Sequence, residues 1–362
     1  MRVLLVTGSY PPMKCGVGDY TYNLAQALAV NHEIQVGVLT SAINGTINKV
    51  AGVEIFPIIK KWGIAETLKV IKVIKRWSPD IVHIQYPTQG YGNVLLPWLL
   101  PVISFLMGKK VVQTWHEIYV LRNAPKVFLK SIIPGGLVFV RPRYIESLHF
   151  IMRWALWGKK TATIQNASSI PCVNLDETEK SQLKKQYLKT QKRLVVFSGF
   201  IYPHKGIELL FEIANPATDQ IVIAGEDVKE TGYLPEIIKR VSLGLWSEKV
   251  TFTGFLPAQG LAALLAVADA VILPFRNGAG EWNTSIHAAV LNRAFVITTS
   301  LTQRGYDRKR NIYFTKVDDI QEMKSALANY AGKRRDYDHD IDRDQWQEIA
   351  DRHCLLYEDI CG

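Results

Sequence analysis

Three stretches of the chain put polar residues where an open parallel sheet would expose them. The run KVVQTWHE, residues 110–117, reads as an apolar strand that delivers His116 and Glu117 at its carboxyl end. Ligand residues in open α/β sheets sit at such ends, so His116 is better placed for chemistry than any other histidine. Glu117 could orient it or cap the next helix. Residues 273–300, LPFRNGAGEWNTSIHAAVLNRAFVITTS, read as a buried strand, a glycine-bearing loop, a helix entered through Asn283-Thr284-Ser285, and a second buried strand over 295–299. Asn, Thr and Ser start helices well, and the unpaired amides of a first helical turn form an anion site whose commonest occupant is phosphate. The same pattern also serves an ordinary strand–helix–strand unit. Finally, the loop GFIYPHKG, residues 199–206, sets Lys205 just before a helix expected from near Gly206, where it could neutralise a diphosphate or simply be a surface lysine.

The elements that must carry these residues alternate strand and helix. Residues 2–7 form a short apolar run suited to a central parallel strand. PPMKCGVGDY follows, in which Pro11-Pro12 break the chain, Gly16 and Gly18 leave room for a close ligand or only for a turn, and residues 20–28 are helical. Strands are expected over 34–39, 80–85, 110–114 and 137–140, with His83 a core histidine. Ile64, Leu68, Ile71 and Ile74 recur at helical spacing opposite Lys69, Lys72 and Arg76. Residues 94–107, VLLPWLLPVISFLM, are the most hydrophobic run, yet they are shorter than the roughly 20 apolar residues of a spanning helix. Residues 144–160, YIESLHFIMRWALWGKK, mix aromatic and basic side chains, which suits a membrane interface, an acidic lipid headgroup or packing between domains. A hinge is expected near Pro171. Beyond it come a charged helix over 177–192, strands over 194–198, 221–224, 250–253 and 270–273, and a final amphipathic helix through Trp346, Ile349, Ala350, Cys354 and Tyr357. This describes a second doubly wound sheet.

Length and composition agree with that plan. A chain of 362 residues with 48% hydrophobic and 21% charged residues suits two soluble globular domains. Its four cysteines show no CxxC spacing, so a reduced cytoplasmic protein without a signal peptide is expected. The net charge of +10 is concentrated: nineteen Lys and Arg against seven Asp and Glu precede position 171, and twenty-four against twenty-six follow it. That asymmetry asks for an anionic partner of the first half, whether nucleic acid, an anionic membrane or a pyrophosphate-bearing substrate. No recognised nucleic-acid module accompanies the basic residues, so no nucleic-acid partner is expected. DYDHDIDRD, starting at Asp336, has Ile341 and Gln347 where a calcium loop needs Gly and an acid, so it reads as a solvated linker. No metal site is expected.

In order and spacing, PPMKCGVGDY, PDIVHIQYP, TWHE, TIQNASSIP, GFIYPHKG, VTFTGFLP, LPFRNG…TSIHAA…VITT and WQEIADRHCLLY resemble glycosyltransferase family 4, over most of the chain. The resemblance implies an α/β GT-B architecture: two Rossmann-like doubly wound domains facing a cleft, with a C-terminal helix crossing back to the first. The implied boundaries are an acceptor-binding domain over 1–172, a donor-binding domain over 173–340 and a crossover helix over 341–362. The implied activity is metal-independent, retaining transfer of a hexose-type sugar from a UDP- or GDP-linked donor, with no other cofactor. The acceptor is a glycan or a polyprenyl-diphosphate-linked glycan. A cytoplasmic protein, peripheral on the inner face of the cell membrane through its basic first half, fits those partners.

By the same resemblance His116 contacts the transferred sugar, Lys205 holds the diphosphate, and the Thr284 and Ser285 amides hold its other side. Gly16 and Gly18, Gly199, Phe200, Glu226, Asn283 and His287 join the donor site, and Asp19 and Tyr86 meet the acceptor. The sequence departs from the family at Phe200, where an arginine is usual, and at Ala279 and His287, where the Glu-x7-Glu acids fall. Glu281 lies two residues from the first missing acid and could partly replace it. The rival readings are a catalytically degenerate GT-B protein that binds a glycan or partner, and a GT-B sugar-nucleotide epimerase.

Overall fold

The computed structural model describes the chain apart from positions 32, 44–48, 51, 228–231, 243 and 281. It divides into two compact units, one made of Met1–Ala167 with Asp344–Gly362, the other of Ser168–Arg343. In the first unit β1 (Arg2–Val6), β2 (Gln35–Ser41), β3 (Lys49–Val50), β4 (Val53–Ile59), β5 (Ile81–Tyr86), β6 (Lys110–Trp115), β7 (Gly136–Phe139) and β8 (Lys160–Thr163) form one sheet. Its order is β3-β4-β2-β1-β5-β6-β7-β8, parallel except for β3. The chain leaves β1 toward β2 on one side and later places β5 on the other, so the switch point of a doubly wound sheet lies beside β1.

Helices α1 (Gly16–Val30), α2 (Thr67–Trp77), α3 (Leu96–Leu106), α4 (Ala124–Ser131), α5 (Tyr144–Ser147) and α6 (Phe150–Trp154) accompany this sheet. Strand alternation sorts the core. Leu4 and Val6 pack with residues of α2, α3, α4 and α6, while Val3 and Leu5 pack with α1. Helix α1 starts at Gly16, four residues earlier than expected, so both glycines of GVG belong to its first turn. At Gly18 a Cβ would come within 3.0 Å of the Ser9 carbonyl oxygen, a close helix-to-loop approach, whereas one at Gly16 would meet nothing within 4 Å.

The second unit repeats the plan. Strands β9 (Arg193–Ser198), β10 (Asp219–Ala224), β11 (Val250–Phe252), β12 (Ala270–Leu273), β13 (Val296–Thr299), β14 (Gly305–Asp307) and β15 (Ile312–Thr315) form a sheet of order β11-β10-β9-β12-β13-β15-β14. Only the edge strand β14 is antiparallel, and the switch point lies between β9 and β12. Helices α7 (Glu177–Tyr187), α8 (Leu210–Ile213), α9 (Tyr233–Ser242), α10 (Ala258–Val267), α11 (Thr284–Leu291), α12 (Ile320–Tyr330) and α13 (His339–Asp342) complete it. Asn292, buried after α11, accepts the Val173 amide at 3.1 Å and donates to the Pro171 carbonyl at 3.0 Å. Those two bonds attach residues 171–173 to the second unit.

The acidic run after Asp336 is more ordered than a solvated linker. Asp338 caps α13, and Lys309 lies 3.4 Å from Asp338 and 3.5 Å from Asp340. Asp344 caps α14 (Gln345–Cys361), which returns to the first unit against α1 through Ile349, Ala350, Leu356 and Tyr357. Short acidic side chains satisfy the orphan amides of helix starts, and here two of them do.

Lys130 of α4 is a feature the sequence did not announce. Its ammonium is fully buried without a hydrogen-bond partner among the described residues. It lies 3.7 Å from the Trp115 ring centre, 3.8 Å from that of Tyr119 and 4.5 Å from that of Tyr86. Burial holds its pKa well below the usual lysine value, and cation–π attraction offsets only part of that cost. Because the folded-state value is depressed, the unfolded chain binds the extra proton, and this group loses stability as pH falls below its unfolded value. Lys130→Met is expected to stabilise the protein by on the order of 1–3 kcal/mol at pH 7. Thermal melts at neutral and alkaline pH check it, since the gain should shrink toward pH 10.5, the unperturbed lysine value.

Candidate functional site

In the second unit the expected donor residues gather at the carboxyl ends of β9, β10 and β12. Gly199 follows β9 with φ of +127°, a conformation that favours glycine. A Cβ there would lie 3.0 Å from the Ser285 hydroxyl, and one at Gly225 would overlap the Gly199 carbonyl oxygen. Three loops thus meet through glycine. The Ile201 amide donates to the Glu226 carbonyl at 3.0 Å, fastening the loops after β9 and β10 together, with Phe200 half-buried between Gly199 and Ile201.

Lys205 does not precede a regular helix. Pro203–Lys205 is one 3-10 turn, Gly206 is left-handed at φ +67°, Ile207–Leu209 is a second 3-10 turn, and α8 has only four residues. Gly206 is pressed so closely on the Pro274 carbonyl that a side chain would not fit, and the Arg276 amide donates to the His204 carbonyl at 3.0 Å. The ammonium of Lys205 therefore comes to rest 4.3 Å from the Phe275 ring centre. Burial lowers its pKa to about 8, leaving a poorly solvated cation that an anion would relieve.

Asn283 stands at the N-cap of α11, but its side-chain oxygen accepts the Gly280 amide at 2.8 Å. The helix therefore begins at Thr284 and Ser285 without a side-chain cap. Thr284 is exposed, and Ser285 and His287 are half-buried. The Trp282 ring lies over Gly280, where a side chain would collide with it. Glu281, expected as a substitute acid, falls outside the described residues. Arg276 donates from Nε to Glu208 at 3.0 Å and from Nη1 to Asp318 at 3.1 Å, and Glu208 also accepts from Tyr233.

In the first unit His116 follows β6, and its amide donates to the Tyr86 carbonyl at 2.7 Å. A buried polar chain extends from it. His116 Nε2 meets Gln85 Oε1 at 2.9 Å, Gln85 Nε2 meets His83 Nε2 at 3.2 Å, and His83 Nδ1 meets the Tyr357 hydroxyl of α14 at 2.6 Å. With Gln85 donating to His83 and accepting from His116, the latter carries its proton on Nε2 and leaves Nδ1 as an acceptor. The Tyr20 ring meets His116 edge-on at 4.7 Å, and its hydroxyl lies 3.5 Å from His353. Burial lowers the pKa of His116 to about 3, of His353 to about 4, and of His83 well below the usual value. All three are neutral at pH 7.

Asp19, in the first turn of α1, is half-buried, and desolvation raises its pKa to about 6. Tyr86 is fully buried and gives its hydroxyl to the Pro97 carbonyl, so its side chain lies in the core. Sequence reasoning missed Gln85, Tyr20 and His353. The available signal was His83 and Gln85 at alternate positions of an otherwise apolar strand, which puts both on one face. Among the described residues no group of three or more His, Cys, Asp or Glu is placed to hold a metal ion.

Residues 15–161 match the model of Glycosyltransferase Family 4. A 105-residue stretch is 27% identical to alpha-D-kanosaminyltransferase of Streptomyces kanamyceticus, spanning 28% of this chain and 26% of that protein. Over 99% of both chains the fold matches sucrose-phosphate synthase of Thermosynechococcus elongatus, with a TM-score of 0.72 at 15% identity. Anabaena HepE in complex with UDP-glucose matches with a TM-score of 0.69 at 17% identity, over 99% of this chain and 98% of that one. The resemblance to glycosyltransferase family 4 holds: the family's model covers most of the first unit's leading segment, and the whole chain has the GT-B fold.

The buried histidines fix a pH dependence. Their depressed folded-state values mean that their contribution is complete above the unperturbed 6.5 and is lost as pH falls toward about 4 and 3. Asp19, raised to about 6, acts with the opposite sign, but three imidazoles outweigh one carboxyl. Unfolding free energy from urea titrations is expected to drop between pH 6.5 and pH 5, by up to about 1.4 kcal/mol per unit for each histidine. A flat profile there would contradict the burial described.

Proposed function

We propose that the protein is a glycosyltransferase that moves a hexose-type sugar, with retention of anomeric configuration, from a UDP- or GDP-linked donor to a glycan or polyprenyl-diphosphate-linked glycan. The place of such a reaction is polysaccharide or glycoconjugate biosynthesis in the cytoplasm. The observation that carries this reading is Lys205, a poorly solvated ammonium at the glycine-walled end of the second sheet, in the same unit as the uncapped start of α11. Support comes also from the family match of residues 15–161 and from neighbours of like fold, one of them in complex with UDP-glucose.

The chemistry needs negative charge stabilised as the sugar–phosphate bond breaks. Fixed donors aimed at developing charge do this best where water is scarce. Lys205 meets the diphosphate, and the Thr284 and Ser285 amides add a second set of donors. His116, held neutral with Nδ1 as an acceptor, is assigned to a hydroxyl of the transferred sugar. The raised pKa of Asp19 suits a group that accepts a hydrogen bond, or a proton, from an acceptor hydroxyl near neutral pH. No metal takes part in this scheme. The basic first unit is assigned a peripheral contact with the cell membrane.

A second reading is favoured by Ala279 and His287 standing where the family's acids fall: a GT-B protein that binds a donor or glycan without turning it over. Calorimetry and product analysis with UDP- and GDP-sugars separate the two. Lys205→Ala is expected to weaken nucleoside-diphosphate binding about ten- to a hundredfold, the worth of a charge-assisted hydrogen bond. Wild-type affinity is expected to fall as pH rises above about 8, where Lys205 loses its proton. His116→Ala is expected to keep nucleotide binding and lose transfer. Unchanged binding in Lys205→Ala would remove the diphosphate assignment, and donor binding without any product in the wild type would leave the non-catalytic reading.

A further inference from the structure

The aromatic and basic segment that follows β7 is not consumed by packing. Helix α6 and the turn after it bury Met152 and Leu156 in the core, four residues apart and so on one side. The other side carries Phe150, Trp154 and Trp157, spaced at four and three residues, and these are 71%, 73% and 86% exposed. A segment that is apolar inward and aromatic outward has its outer face left over. Beside it, Lys159 Nζ reaches the Ile133 carbonyl, which fixes the Trp157 turn next to the end of α4 and to Ile132, itself 76% exposed. Four large exposed apolar groups thus sit on neighbouring segments of one unit.

The surroundings of that patch are basic. Between positions 109 and 160 there are ten Lys and Arg against two Asp and Glu, and of the ten only Lys130 is buried in the core. Arg153 and Lys160 are exposed beside the patch; Arg153 is fixed on the patch's own helix by its bonds to the Leu148 and Glu146 carbonyls, and Lys160 stands directly after the turn, 2.7 Å from Asp359. Tryptophan prefers the headgroup level of a bilayer, where an apolar ring and a polar N–H are both accommodated, and anionic lipid attracts each nearby cation by about 1 kcal/mol. No helix among the described residues is long and apolar enough to cross a membrane.

We propose that Phe150, Trp154, Trp157 and Ile132, with the cations around them, form the surface by which the first unit docks on an anionic lipid bilayer. This deepens the peripheral membrane contact of the proposed function by giving it a place in the fold, and it depends on no step of sugar transfer. The rings insert at headgroup depth while the basic rim meets lipid phosphates. Binding therefore needs both components, and salt weakens only the second.

The test is co-sedimentation of the full chain with vesicles of phosphatidylcholine alone and of an equimolar mixture with phosphatidylglycerol. The expected result is binding to the mixed vesicles that falls as salt is raised, with a blue shift of tryptophan emission. The double variant Trp154→Ala/Trp157→Ala should lose at least about tenfold in partition coefficient, and Arg153→Glu/Lys160→Glu should flatten the salt dependence. Leu245→Ala, at an exposed leucine of the second unit, should change nothing. A wild type that stays in the supernatant, or a tryptophan double variant that binds as well as the wild type, overturns the proposal. So does a self-association in solution that the double variant abolishes, because the patch would then belong to a second copy of the chain. UDP and GDP titrations of the same double variant, expected to match the wild type, keep a failure here distinct from a failure of the transferase reading.

Discussion

Each sheet depends on a backbone approach that only glycine permits. In the first unit a Cβ at Gly90 would overlap the Gly8 carbonyl oxygen, and in the second a Cβ at Gly225 would overlap that of Gly199. Both pairs join the loop after a first strand to the loop after an adjacent one, at the carboxyl ends where a doubly wound sheet receives ligands. With the loops held together at their backbones, side chains beyond them acquire fixed places. Ser285 adjoins Gly199, and the Gly8 amide donates to the Thr88 hydroxyl at 3.0 Å. A methyl group at either contact would separate the loops, and with them the groups they carry.

The strand–helix alternation and the order of the glycine loops were legible in the sequence because they are local. An apolar run of strand length needs no partner to be recognised, whereas the caps at Asp338 and Asp344 were read as part of a solvated linker. What escaped was whatever required distant elements in register. His83 was read as a core histidine, and it is one, yet its role depends on Tyr357, 274 residues away, and on Thr114 of the neighbouring strand at 2.7 Å. Tyr86 was assigned to the acceptor through the family resemblance alone. Its side chain instead lies among Tyr91, Trp98 and Lys130, a neighbourhood set by α3 and α4.

Lys205 shows the same limit in reverse. Its importance was legible from a lysine following a glycine loop, but the reason differs from the one the sequence suggested. A helix dipole was expected beside it, and a pair of 3-10 turns broken by a left-handed glycine is present. The special property of the residue comes from Phe275, seventy positions later in the chain, whose ring lies against the ammonium while Pro274 is pressed on the neighbouring Gly206. Local spacing located the cation, and long-range packing supplied its chemistry.

The return of α14 to the first sheet has a consequence for the birth of the chain. The second unit is contained in one unbroken stretch between Ser168 and Arg343, whereas the first needs residues from both sides of it and is closed only by the last helix made. Until Tyr357 emerges, the polar chain that begins at His116 ends at an imidazole with no hydroxyl to receive its N–H. The later-encoded unit is thus built from contiguous residues, whereas the earlier one stays incomplete until α14 has been made.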